Sequence, residues 1–151
     1  MDKWSTRTVA PEETSELAEK LGKLVQSGDV ITLEGDLGAG KTSFTKGLAK
    51  GLGVRRMVNS PTFTIMKQYK GRIPLYHIDA YRLEDEFEDL GFEDYFYGDG
   101  VTVIEWPSMI EAQLPEDRLK ITIDYMGETE RLISIEGTGP RSSELSKELS
   151  V

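Results

Sequence analysis

The sequence contains no cysteine in its 151 residues. Disulfides and thiolate metal sites are therefore excluded. Positive charge is scarce as well: 18 Lys and Arg stand against 27 Asp and Glu, a formal charge of −9. Such a chain repels phosphate backbones at long range, which argues against extended contact with RNA or DNA and leaves room only for local basic pockets. No apolar run approaches the roughly 20 residues of a membrane helix. The opening "MDKWSTRTVAPEET" has no apolar stretch of the secretory type. Repeats and low-complexity linkers are also missing. These absences predict a soluble, cytoplasmic protein folded as a single domain over 1–151, of ordinary globular composition at 38% hydrophobic residues, with enough chain for a proper core.

Several elements can be read from the residues present. Leu17, Leu21, Leu24 and Val25 recur at helical spacing after Pro11, and Glu12 and Glu13 favour the positive end of that helix. "VITLE", from Val30 to Glu34, is short, apolar and β-branched, and reads as a buried strand. Phe44, Leu48 and Leu52 repeat every four residues, the face of a second helix that Gly53 stops. "SPTFTIMKQY" and "IPLYHIDAYRL" read as strands joined by a turn at "KGR". The second alternates Leu75, His77, Asp79 and Tyr81 against Tyr76, Ile78 and Ala80, so it reads as less than fully buried. The acidic and aromatic "EDEFEDLGFEDYFYGDG" predicts one or two short helices, "VTVIE" a second buried strand and "PSMIEAQL" a short helix. "RLKITIDY" and "ERLISIEG" flank a hairpin turn, and the tail over 141–151 reads as a frayed helix. Alternating strands and helices closed by a hairpin predict an α/β fold: a mostly parallel sheet flanked by helices, with antiparallel hairpin additions.

One stretch carries chemistry. In "LEGDLGAGKTSFTKGLAKGLG", Gly35, Gly40, Lys41 and Thr42 fit G-x-x-x-x-G-K-[ST], between a buried strand and an amphipathic helix. Successive backbone N–H groups must curl around a β-phosphate there, and glycine allows the curl without a Cβ clash. Lys41 reaches the β- and γ-phosphates, the Thr42 hydroxyl can ligate Mg²⁺, and the helix start points its positive end at the anion. A P-loop NTPase-like arrangement needs a further carboxylate at a neighbouring strand end. Glu105 ends "VTVIE" and Asp79 ends "PLYHID"; strand character favours Glu105 for the metal, with Asp79 close by, orienting water or sensing the γ-phosphate. His77 reads equally as a half-buried strand histidine or as part of the site. Arg82 is either a phosphate or carboxylate partner or a surface arginine, and Trp106 is either core or a cover for the site. Ser60, Thr62 and Thr64 in "NSPTFT" offer hydroxyls to a γ-phosphate or its water, Thr62 foremost, or else build a turn around Pro61.

"GDLGAGKT", "SPTFT", "YHIDAYRL" and "VIEWP", in this order and spacing, resemble the TsaE (YjeE-type) family from the first helix to about Gly139. The resemblance implies an ATPase of bacterial threonylcarbamoyladenosine synthesis, the modification at adenosine 37 of tRNAs that read ANN codons. It implies ATP and Mg²⁺ as cofactors and TsaB-like and TsaD-like proteins as partners, with tRNA reached only through that complex. By resemblance, Thr42 and Glu105 ligate Mg²⁺. Gly38, Ala39, Gly40, Lys41, Thr42 and Ser43 wrap the phosphates. Asp79 and Trp106 fall on positions tied to activity, and Thr8 and Arg131 fall near the adenosine contacts. One departure is Ala10, where a capping Ser or Thr commonly precedes Pro-Glu-Glu.

Three function classes remain at this point. An ATPase would use Lys41, Mg²⁺ and the loop amides to stabilise charge on the γ-phosphate. No arginine finger is evident in cis, so turnover is expected to be slow alone and faster with partners. A small-molecule kinase would need an arginine-rich lid and an acceptor pocket, yet apart from Arg55-Arg56 the arginines are scattered. A nucleotide-switched docking module would bind ATP and need no turnover. The acidic–aromatic segment holding Phe87, Leu90, Phe92, Tyr95 and Phe96 is either core under solvated acids or a docking face. No N-K-x-D guanine signature appears.

Overall fold

The computed structural model describes residues 2–35, 40–55, 66–79, 93–107 and 113–150. The elements are β1 (Asp2–Thr8), α1 (Pro11–Leu24), β2 (Val30–Gly35), α2 (Lys41–Gly51), β3 (Met66–Lys70), β4 (Pro74–Asp79), α3 (Glu93–Phe96), β5 (Val101–Glu105), β6 (Leu119–Tyr125), β7 (Arg131–Gly137) and α4 (Pro140–Ser150). The strands form one sheet in the order β1-β7-β6-β2-β5-β4-β3. β6, β2, β5 and β4 are mutually parallel at its centre. Antiparallel pairs complete both margins: β3 on β4, β7 on β6 and β1 on β7. The carboxyl ends of β1, β6, β2, β5 and β4 therefore share one rim with the amino end of β7.

One face of the sheet is covered by α1, α2 and α4. Ile31, Leu33, Val101, Val103, Leu119, Ile121, Ile123, Ile133 and Ile135 point into that layer and meet Ala18, Leu21, Phe44, Leu48, Leu145 and Leu149. α1 and α2 approach so closely that a methyl group at Gly22 would strike the Leu48 carbonyl, and one at Gly51 the Glu19 carbonyl. Glycine is a poor mid-helix residue, but here it lets two backbones touch. The opposite face is covered near β2, β5 and β4 by Phe96 of α3, packed on Val30, Ile78 and Ile104. Over β1, β7 and β6 that face is polar, with a shallow depression of about 270 Å³ lined by Lys3, Lys120, Thr122, Ser134 and Glu136.

The structure departs from the sequence reading in three places. β1 was not expected; "DKWSTRT" offers only Trp4 as an apolar anchor, and the strand exists by pairing along its whole length with β7. The tail expected to fray is a packed helix: Leu145 and Leu149 are buried, and Trp4 Nε1 donates to Ser146 Oγ at 3.0 Å. β4, expected to be partly exposed, is buried from Leu75 to Asp79: it lies between β5 and β3, and its His77 meets the Glu105 carboxylate of β5. At α1, Ala10 supplies no side-chain cap; the Glu13 carboxylate instead accepts the Val9 N–H at 2.6 Å. No helix among the described residues is long and apolar enough to cross a membrane.

Candidate functional site

The site forms where β2 hands over to α2. Gly35 ends the strand, and Gly40, with φ 106°, precedes the first helical residue. That backbone conformation strains any residue with a Cβ. No side chain caps α2. Its first N–H groups, at Lys41, Thr42 and Ser43, are left by helix geometry without intrahelical partners and suit an anion. No acidic residue lies in this first turn to compete for them. Gly38 and Ala39, expected to wrap phosphates, lie outside the described residues, as does the Thr42 side chain.

Lys41 is 5% exposed. Its ammonium donates to the Gly35 carbonyl at 2.6 Å and lies 4.1 Å from the centre of the Trp106 ring. Burial of a charge is costly without such partners, so the lysine is held at the junction by a carbonyl dipole and a π face. Trp106 adopts φ 59°, the left-handed region, and its N–H donates to the Leu33 carbonyl at 3.3 Å. For a bulky residue that conformation costs about 1–2 kcal/mol. It turns the chain immediately after β5 and lays the indole against Lys41, while the side chain also packs on the cluster of Val30, Ile78, Phe96 and Ile104, so both readings of Trp106 have a contact behind them.

The two carboxylates of the sequence reading are neighbours. Asp79 and Glu105 pair in register across β4 and β5, and Glu105 pairs with Leu33 of β2. Adjacent strands lie about 4.8 Å apart, so both acids stand in one row beside the strand that leads into the loop. They are 8% and 4% exposed. Glu105 Oε2 accepts a hydrogen bond from His77 Nε2 at 2.5 Å, and His77 is fully buried. His77 is thus joined to the site, a contact the sequence left open because the two residues are 28 positions apart. Among the described residues no group of three or more His, Asp and Glu side chains is placed to hold a metal ion. Magnesium does not need one: it keeps several waters and uses one or two carboxylates with substrate phosphates. A buried lysine beside paired carboxylates, under a helix amino end, fits a magnesium–phosphate group.

Thr8 and Arg131 are register partners on the same rim, two strands and more from β2. Thr8 is buried and shares a 2.7 Å hydroxyl hydrogen bond with Thr14 of α1. Arg131 donates to the carbonyls of Gly127 and Glu130 at 3.0 and 2.8 Å and stacks on Tyr125. Ser43 is exposed in the first turn of α2. Ser60, Thr62, Thr64 and Arg82 lie outside the described residues.

The family model described as threonylcarbamoyl adenosine biosynthesis protein TsaE matches residues 8–133. The chain belongs to the TsaE family. A TsaE protein of Bacillus subtilis is 56% identical over 149 residues, covering 98% of this chain and 93% of the relative. One of Treponema pallidum is 41% identical and covers 82% and 93%. Both are named as tRNA threonylcarbamoyladenosine biosynthesis proteins. A crystal structure of Bacillus subtilis YdiB superposes with a TM-score of 0.89 at 49% identity, covering 99% of this chain and 95% of that one. The fold is thus the P-loop type shared with TsaE proteins.

Proposed function

We propose that the chain is the ATP-binding and ATP-hydrolysing subunit of tRNA threonylcarbamoyladenosine biosynthesis. The observation that carries this reading is the burial of Lys41 at the β2–α2 junction together with Glu105 and Asp79 at the ends of the next two strands in a TsaE-family chain. In this reading the α2 N–H groups and Lys41 hold the β- and γ-phosphates. Asp79 accepts from the attacking water or senses the γ-phosphate. Thr42 and Glu105 would hold Mg²⁺, which supplies positive charge to offset that developing on the phosphate oxygens. Water displaces ADP from the γ-phosphorus in line, leaving ADP and inorganic phosphate. Gly38, Ala39 and Thr62 complete the phosphate contacts, and Thr8 and Arg131 flank the adenosine.

Arg72 donates to the carbonyls of Gly22 and Val25, Arg141 pairs with Asp29, and Arg131 braces the β6–β7 turn. These arginines are committed away from the phosphates. No arginine finger is evident among the described residues, and a supplied finger is worth about 10³–10⁵ in rate, so turnover is expected to be slow alone and to rise with TsaB-like and TsaD-like partners, which also bring the tRNA. The test is Glu105→Gln, measured by phosphate release in the assembled system and by calorimetric titration with ATP. Hydrolysis is expected to fall by about 10²-fold or more, with Mg²⁺-free ATP affinity kept within a few-fold. Undiminished hydrolysis overturns the assignment of Glu105.

A further inference from the structure

His77 occupies a strand position that packing alone would fill with an aliphatic residue. Leu75, two residues earlier on the same face of β4, is as deeply buried. An imidazole there gains nothing by burial unless its N–H groups are used, since an unbonded polar group in such surroundings costs several kcal/mol on the order of the transfer values. The register puts His77 opposite Val103 and Asp79 opposite Glu105, so His77 and Glu105 are diagonal neighbours. That separation is within reach of a ring side chain. The ring makes the contact with Nε2, at 2.5 Å from Oε2. An ionised carboxylate only accepts hydrogen bonds, so Nε2 carries the hydrogen and donates it. Nδ1 is buried and has no partner among the described residues, so the ring's polar contact there is the one with Glu105. The ring is therefore committed to one task.

A carboxylate at the end of a glutamate side chain turns through a broad torsional well. A donor fixed in the core removes that freedom from Glu105: Oε2 is taken by the imidazole, and Oε1 is the oxygen left for a further partner. We infer that His77 is a positioning residue, holding the Glu105 carboxylate in the orientation in which it serves the magnesium side of the nucleotide site. The inference rests on the assignment of Glu105 made above. Hydrogen bonds that orient ligating carboxylates typically govern metal affinity or activity by about 10–100-fold. The row runs from His77 through Glu105 toward the junction, and no step asks His77 to touch substrate.

The experiment is calorimetric titration of the purified chain with ATP, with and without MgCl₂, for the wild type, His77→Leu, His77→Gln, Glu105→Gln and the double substitution. Removing the donor is expected to cut the Mg²⁺-dependent gain in ATP affinity by about 10–100-fold and to leave Mg²⁺-free affinity, carried by Lys41 and the amides, unchanged. His77→Gln, whose amide N–H can reach Glu105, is expected to restore most of the gain. In the Glu105→Gln background His77→Leu is expected to add nothing, because His77 acts through that carboxylate. Should His77→Leu fail to fold, His77→Gln and His77→Met, of similar length, carry the same comparison. The inference is overturned if the donor-free variant keeps the full Mg²⁺-dependent gain, if it weakens Mg²⁺-free binding by the same factor, or if the two substitutions add. A wild type whose ATP affinity ignores Mg²⁺ overturns the assignment of Glu105 instead.

Discussion

Lys41 shows how a single side chain joins stability to function. Its ammonium sits at the junction, donating to the Gly35 carbonyl and lying on the Trp106 indole face, in a residue 5% exposed. Replacing buried ionic groups by apolar side chains of similar volume is often neutral or stabilising, so a lysine here is explained by the phosphate it is proposed to hold rather than by packing. Lys41→Met, of similar volume, is expected to leave the thermal unfolding midpoint unchanged or raised. The same change should weaken ATP binding by about 10–100-fold, the equivalent of one lost charge-assisted hydrogen bond. Scanning calorimetry and ATP titration of the same preparation check both halves, and parallel loss of stability and affinity would make Lys41 a structural residue. Trp106 belongs to the same account: a strained backbone that faces a lysine is a cost accepted at a working site.

At the level of elements, α4 is fastened from a distance. Asp117, ahead of β6, accepts the backbone N–H of Arg141 and Ser142, each at 2.9 Å, and the Ser142 hydroxyl at 2.5 Å. Partial burial pushes the Asp117 carboxyl up, but hydrogen bonds from the Ser142 side chain and backbone, then from Arg141, outweigh it and hold the carboxyl below the ordinary aspartate value. Its stabilising contribution is therefore present above the unfolded value of about 3.9 and is lost as pH falls through the lower folded value. Asp117→Ala should cost about 0.5–2 kcal/mol at pH 7, and the gap from wild type should close below about pH 3.9. Urea unfolding at several pH values checks this; a gap independent of pH would remove the carboxylate from the explanation.

The elements read most accurately in the sequence were those whose reason is local. β2 and α2 are encoded by consecutive residues, and Phe44, Leu48 and Leu52 are buried as the four-residue spacing requires. The "KGR" turn and the β6–β7 hairpin follow the same logic. What escaped was set by partners far along the chain. β1 depends on β7, α4 on Asp117, and the polar burial in β4 on its His77 meeting Glu105 of the adjacent β5. Glu105 was legible as a strand-end acid, but its hydrogen bond to His77 was not, since period-two alternation says which face a residue takes and nothing about its diagonal neighbour.

The molecule as a whole is acidic, with a net charge of −9, and its described arginines are largely engaged in internal contacts. Nucleic-acid binding by a free chain relies on cations that displace counterions from phosphates. The isolated protein is therefore expected to retain no tRNA in filter binding at physiological salt, and retention is expected once TsaB-like and TsaD-like proteins are added. Tight, salt-sensitive binding by the chain alone would contradict this. The register of the margin strand has a practical side. Asp2 pairs with Gly137, while Thr8 pairs with Arg131 on the nucleotide rim, so β1 runs the depth of the sheet, about 20 Å at the usual rise per residue. A tether fused ahead of Asp2 leaves from the far rim, and a protein anchored to a sensor surface that way would present its Gly35–Lys41 junction to the solution rather than to the support.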